Sequence, residues 1–287
     1  MSENVQLLII DPQNDFMDYD TSALAVPGAG DDMLRTAALV RRLGSRLDDI
    51  HVTLDSHHLV DVGHPTMWVG NDGKTPPSPF TAILSDDIRS RIWTPRFADA
   101  KPPALDGETV RQYMIRYAST LEEQGNHLLM VWTIHCLIGS TGHAVQKDLA
   151  DALNWWAGEN FANINFVTKG TNPWTEHYGA LQAEVPMASD PSSGLNTRLL
   201  EVLETADRVV VAGEAWTHCV KTSVTQIVEN IDPKLVRKLW LLTDCMSGIP
   251  AAVPGDPKLD FPLATAAWQE EMVAKGINLT TSTEFLA

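Results

Sequence analysis

Six apolar runs that lack apolar/polar alternation punctuate the chain, at residues 5–11, 50–56, 127–133, 163–169, 207–213 and 236–243. Continuous apolarity of this kind marks strands whose sheet is covered by helices on both faces. Between the runs, 31–48, 107–124, 143–158, 194–205, 218–230 and 260–275 carry apolar residues at helical spacing, as at Val220, Val224, Ile227 and Val228. Strand and helix in alternation predict an α/β fold: a doubly wound, Rossmann-like three-layer sandwich around a mainly parallel six-stranded sheet. One stretch breaks the rhythm. Residues 58–106 are rich in Pro and Gly (Pro76, Pro77, Pro79, Pro102 and Pro103 among them) and include Trp68 and Trp93. An unstructured loop of that length is uncommon in a compact domain. An insertion after the second strand, with short elements of its own, is expected instead. It would overhang the crevice as a lid or subunit contact, within one domain covering 1–287. Pro250 to Pro257 reads as a loop before the last helix.

Several runs end in a residue capable of chemistry. Leu7-Leu-Ile-Ile10 ends in Asp11, Val52-Thr-Leu54 in Asp55 with His57 beyond it, and Asn165-Phe-Val-Thr168 in Lys169. Arg208-Val-Val-Val-Ala-Gly213 breaks into Glu-Ala-Trp-Thr-His-Cys219. The carboxyl ends of parallel strands share one edge of the sheet, where the ligand crevice opens. One cleft can therefore gather all of them. Cys219 opens a helical pattern, and the first turn of a helix favours a thiolate over a thiol. A nucleophilic thiol needs a base or a positive neighbour, roles that suit Asp11 and Lys169. The strand-to-helix turn aims backbone amides at one point, so Ala215 and Cys219 are candidates to hold an oxyanion. His218 sits beside Cys219, but adjacent helical positions point about 100° apart, too far for a dyad. Cys136 and Cys245 read as packing residues.

Asp55 and His57 leave an extended segment on one face, a short loop returns His64, and His135 follows the next strand. One carboxylate and three imidazoles suit a borderline divalent ion such as zinc, iron(II) or manganese(II). His58, His143 and His177 lack such company.

Composition narrows the partners. With 37 acidic against 21 basic residues among 287, the formal charge is −16. No basic patch offsets it, so nucleic acid and anionic membrane surfaces are not expected partners. Met1-Ser-Glu-Asn leads straight into a strand without the pattern of a signal peptide, and three scattered cysteines suit a reducing compartment. A cytoplasmic location is the expectation.

Taken together, these motifs resemble the isochorismatase-like cysteine hydrolases, and within them the nicotinamidase branch. Leu8-Ile-Ile-Asp11-Pro-Gln-Asn-Asp-Phe16 is similar to that family's opening motif, Phe166-Val-Thr-Lys169-Gly170 to its lysine segment, and Gly213-Glu-Ala-Trp-Thr-His-Cys219-Val220-Lys-Thr222 to its nucleophile segment. Leu242-Thr-Asp244-Cys-Met-Ser-Gly248 is similar to its last strand. The resemblance implies Asp11 as base, Cys219 as nucleophile, a cis peptide at Glu214 and Ala215, and Phe16 and Trp132 against the substrate. It also implies a divalent metal, zinc first, on Asp55, His57, His64 and His135. The activity implied is hydrolysis of a small carboxamide, with nicotinamide to nicotinate and ammonia leading. Two departures stand out: Thr133 follows Trp132 where the family often has proline, and Thr217 stands two before Cys219 where it often has aspartate. Competing readings are a metallohydrolase using metal-activated water, another isochorismatase-family hydrolase acting on a different amide, and a non-catalytic module that binds a small ligand. Assembly into a homo-oligomer is compatible with each.

Overall fold

The computed structural model describes residues 3–256 and 258–287, so Met1, Ser2 and the Pro257 end of the expected Pro250–Pro257 loop lie outside the described residues. The strands are β1 (Val5–Ile10), β2 (Asp49–Asp55), β3 (Trp68–Gly70), β4 (Thr81–Ile83), β5 (Trp93–Pro95), β6 (Leu129–Val131), β7 (Asn165–Lys169), β8 (Arg208–Gly213), β9 (Leu239–Leu242) and β10 (Asn278–Thr280). The α-helices are α1 (Ala29–Leu43), α2 (Ser85–Arg89), α3 (Val110–Gln124), α4 (Lys147–Asn160), α5 (Thr197–Thr205), α6 (Lys221–Asn230) and α7 (Phe261–Ala274).

Six strands form one parallel sheet in the order β10-β9-β8-β1-β2-β7, flanked by helices as a three-layer sandwich. Every residue of β1 is buried, as its unbroken apolar run predicts. The chain moves outward from β1 to β2 and β7 on one side and to β8, β9 and β10 on the other. The topological switch therefore falls beside β1, between the strands that deliver Asp11 and the Cys219 turn. Register matters locally, because Asp55 lies directly opposite Lys169 and Ile10 opposite Gly213.

Two expectations need correction. The 127–133 run supplies no strand to the main sheet: β6 pairs antiparallel with β4 of the insertion, Val131 opposite Thr81. Leu129 and Val131 are satisfied by a second core, while Met130 and Trp132 still pack into the main one. The second core joins Val62, Trp68, Ile83 and Ile88 to Tyr113, Met114 and Tyr117 of α3. The sixth main-sheet strand is β10, three half-exposed residues too short and polar to register as an apolar run.

The 58–106 stretch is an insertion with its own elements, as expected: β3 pairs with β5, β4 with β6, and α2 packs on α3. Phe80 meets Trp132 edge-on with ring centroids 5.7 Å apart, so the insertion props a wall of the crevice. No helix among the described residues is long and apolar enough to cross a membrane.

Candidate active site

Asp11 follows the last residue of β1 in a left-handed conformation, φ 43°. Its amide donates to Thr53 Oγ1 at 2.9 Å, and that hydroxyl donates back to Asp11 Oδ1 at 2.5 Å. Strand period explains the partner. Thr53 and Asp55 are two apart on β2 and leave the same face, Thr53 toward Asp11 and Asp55 one step nearer the rim. Gln13 clamps Asp55 through two 2.7 Å backbone bonds, accepting from its N–H and donating to its carbonyl.

Lys169, the last residue of β7, is buried and spans the group. Its ammonium lies 2.8 Å from Asp11 Oδ2 and 3.2 Å from Asp55 Oδ1. It also donates to the His177 carbonyl at 2.9 Å and lies 3.7 Å from Cys219 Sγ. Burial disfavours the ammonium, but Asp11 and Asp55 outweigh it and hold the lysine well above its ordinary range.

Cys219 sits in a wide π-helical turn, Trp216–Val220, that runs directly into α6. Here the structure departs from the thiolate expectation. Burial pushes the thiol well up; Lys169 pulls it down, while Asp11 pushes it up again by charge and by accepting its hydrogen bond. Desolvation of the sulfur outweighs the helix end and the single cation, so the resting group is a thiol aimed at a carboxylate. Burial likewise raises Asp11, against the pull of Lys169, which makes that carboxylate a readier proton acceptor. Among the described residues its Oδ2 has no hydrogen-bond donor apart from the neighbouring ammonium.

The turn before Cys219 is pinned on both sides. Glu214 N–H donates to the Ile10 carbonyl at 2.8 Å and Trp216 N–H to the Ser247 carbonyl at 2.7 Å, leaving the Ala215 N–H between them without an acceptor among the described residues. The Glu214–Ala215 peptide is cis, as the resemblance implies. His218 forms no dyad with Cys219, and its Nδ1 pairs with Thr217 Oγ1 at 2.9 Å.

Beside this group lies the imidazole cluster. His57 Nε2 is 3.0 Å and His135 Nε2 3.4 Å from Asp55 Oδ2, and ligand atoms of the three residues all lie within 4.8 Å of one another. His57 Nδ1 is 3.1 Å from Asp61 Oδ2, His135 Nδ1 2.8 Å from the Thr133 carbonyl, and His64 Nδ1 3.1 Å from the His58 carbonyl. Those partners only accept, so each Nδ1 carries hydrogen and Nε2 is the atom a neutral ring would offer to an ion; His57, whose Nε2 also faces Asp55 Oδ2, must lose a proton to do so. An outer acceptor that fixes the tautomer is how imidazoles are prepared for a metal. The donor set therefore fits a divalent ion. His64 stands at the margin of the cluster, its Nε2 3.4 Å from His135 Nδ1.

Phe16, Leu24, Asp55, Trp132, His135, Glu176, Tyr178, Ala215, His218, Cys219 and Ile249 line a narrow pocket of about 20 Å³. Phe16 meets the His135 ring edge-on at 5.6 Å, and Trp132 donates its indole N–H to Tyr178 Oη at 3.0 Å. Of the residues singled out by sequence, Phe16, Asp55, Trp132, His135, Ala215 and Cys219 line this pocket, Lys169 and His57 contact Asp55 from behind it, Asp11 pairs with Lys169, and His64 approaches only through His135.

Sequence reasoning missed Thr53, Asp61, Glu176 and Tyr178. Period two on β2 could have found Thr53, and the i,i+4 spacing from His57 hints at Asp61. Glu176 and Tyr178 arrive on an irregular segment that carries no pattern. Burial raises Glu176 to about 8. Cys136 and Cys245 are buried packing residues, as expected.

No family model matches the sequence, and no curated protein does. Solved structures do. An Acinetobacter baumanii nicotinamidase/pyrazinamidase is 17% identical, with TM-score 0.59 over 99% of this chain and 98% of that one. The yeast nicotinamidase bound to the inhibitor nicotinaldehyde is 17% identical, with TM-score 0.60 over 96% of this chain and 99% of that one. A Pyrococcus horikoshii pyrazinamidase in complex with zinc is 16% identical, with TM-score 0.51 over 97% and 99%. The fold is thus the isochorismatase-like fold of nicotinamidase-related structures, across nearly the whole chain.

Proposed function

We propose that this protein is a metal-containing cysteine amidase that hydrolyses a small carboxamide, nicotinamide to nicotinate and ammonia being the leading candidate. The observation that carries the reading is the buried contact of Lys169 with Asp11, Asp55 and Cys219 at the floor of one pocket. A binding site alone has no use for a thiol, a proton acceptor and a cation packed together at the cost of desolvation.

In this reading the Cys219 proton passes to Asp11 as the sulfur adds to the carboxamide carbon. Lys169 offsets the charge of both acidic groups and keeps Asp11 ionised beforehand. The amides of Ala215 and Cys219 receive the oxyanion. Asp11 returns its proton to the departing nitrogen, ammonia leaves, and a thioester remains on Cys219. Asp11 then takes a proton from water, the hydroxide adds to the thioester, and the acid is released with the thiol restored. Phe16 and Trp132 would hold the ring from the pocket walls.

Asp55, His57, His64 and His135 would hold a divalent ion, zinc first and iron(II) or manganese(II) otherwise, whose Lewis acidity supplies an anchor for a ring nitrogen. The similarity to nicotinamidases and to a zinc-bound pyrazinamidase supports the choice of substrate class and metal.

The test is ammonia release from a panel of carboxamides, with metal analysis of the same sample and mass spectrometry of quenched enzyme. An acyl adduct on Cys219 and complete loss of release in Cys219→Ala are expected. Full release by Cys219→Ala would overturn the proposal.

A further inference from the structure

Behind the pocket lies a second, larger cavity of about 110 Å³, partly open to solvent. It shares Trp132, Tyr178 and His218 with the catalytic pocket, so those three side chains form the partition between the two. The two faces of the partition differ in charge. Asp55, Glu176 and Cys219 lie on the catalytic side, whereas among the described residues no aspartate or glutamate lines the second cavity. In a chain with 37 acidic and 21 basic residues, this hollow presents Lys221 and Lys258 and no acid, whereas Glu184 and Glu229 line the adjoining hollow that Lys221 also reaches.

Lys221 opens α6 and is partly buried. Among the described residues it has no carboxylate within ion-pair distance, unlike Lys147, Lys169 and Lys275, which all have one. Burial alone pulls its pKa down, with no nearby acid to restore it. An ammonium left half in water and unpaired is an open position for an anion.

Rings line the remaining wall. His127 lies 4.7 Å from Tyr178 and 5.7 Å from His218, and His218 4.6 Å from Phe261, centroid to centroid. Burial lowers His127 to about 3, and its Nε2 pairs with Thr222 Oγ1 at 2.9 Å, so its ring is neutral. Flat neutral rings beside a single unpaired ammonium favour a flat ligand with one negative end.

We propose that this cavity binds a small aromatic carboxylate, its carboxylate on Lys221 and its ring against His127, His218 and Phe261. The site is separate from the catalytic pocket and does not depend on the amidase reading.

The test is calorimetric titration of benzoate, with benzyl alcohol as an uncharged ring of similar size, so that binding is read without turnover. Saturable benzoate binding is expected in the unaltered protein. Lys221→Met should weaken it about tenfold, the loss of one charge-assisted hydrogen bond, while Lys221→Arg retains it and benzyl alcohol is unaffected by either. Ala264→Phe, which fills the cavity from α7 without changing charge, should weaken both ligands. Absence of benzoate binding, unchanged benzoate affinity in Lys221→Met, or equal losses for benzoate and benzyl alcohol in that variant would each overturn the proposal. A protein inactive on every amide but with Lys221-dependent benzoate binding would overturn the amidase reading and leave this one standing.

Discussion

Lys169 Nζ lies 2.8 Å from Asp11 Oδ2, and both side chains are buried. A buried ion pair of this kind is a weak source of stability, because desolvating both charges costs about what their attraction returns. It does set protonation states. The ammonium opposes the neutralisation that burial imposes on the carboxylate, beside a thiol that burial pushes up.

Asp11→Asn should therefore separate two properties of Cys219 that usually move together. Loss of the carboxylate removes the charge and the hydrogen bond that hold the thiol up, so alkylation by iodoacetamide at a fixed pH should become faster. Turnover should fall by about 10²- to 10⁴-fold, the usual range for losing a general base. Slower alkylation in the variant would contradict the protonation state described here.

Asp61 touches His57 and no other imidazole of the cluster. Asp61→Asn should weaken metal binding by roughly 10- to 100-fold, as removal of an outer carboxylate partner commonly does. Competition against a chromophoric chelator measures it. Cys219 alkylation in the same variant should be unchanged, since Asp61 makes no contact with the thiol group's partners.

Metal affinity should also rise with pH. Burial disfavours the charged His57 ring, but Asp55 and Asp61 together hold its pKa well above the ordinary histidine value. An incoming ion must displace that proton, so the same chelator competition should show weaker binding on acidification and release of a proton on loading. A pH-independent affinity would argue against His57 as a ligand.

Glu184 is buried with an unpartnered Oε1, and burial raises its carboxyl from 4.5 to about 8. Between those values the native state holds a proton that the unfolded chain has released. This stability is fully present below the unfolded pKa and is lost as pH rises through the folded one. Glu184→Gln removes the titration. It should match the parent near pH 4 and exceed it above pH 8 by about 1–3 kcal/mol, discounting the roughly 1.4 kcal/mol per pKa unit for relaxation. Thermal unfolding at the two pH values decides.

Gly213 ends β8 at φ 120°, and a Cβ there would run into the Ile10 backbone. Gly213→Ala should destabilise the protein by about 3 kcal/mol or more through strain at a forbidden conformation. Activity should fall with it, because the strands carrying Asp11 and the Cys219 turn would be pushed apart. Denaturant unfolding measures the first effect.

Much of this was legible in advance because it was local. Asp11, Asp55, Lys169 and the Cys219 turn each follow an apolar run, and in a parallel sheet the end of a run is a position in space. The clustering of Asp55, His57 and His135 was legible for the same reason, since Asp55 and His57 share a strand end. Asp61 and Thr53 left only faint periodic traces, and Glu176, Tyr178 and Lys221 left none.

The sequence by itself determined the layered α/β architecture and the rim that gathers the reactive side chains, because burial on both faces writes continuous apolar runs and parallel strands align their ends. Only the tertiary structure decided that 129–131 pairs with the insertion while 278–280 closes the main sheet, since an apolar run records that it is buried and not against what. Tertiary structure alone also decided the charge state of Cys219. Proximity to a cation can be guessed from strand ends, but the desolvation that outweighs it depends on every atom packed around the sulfur.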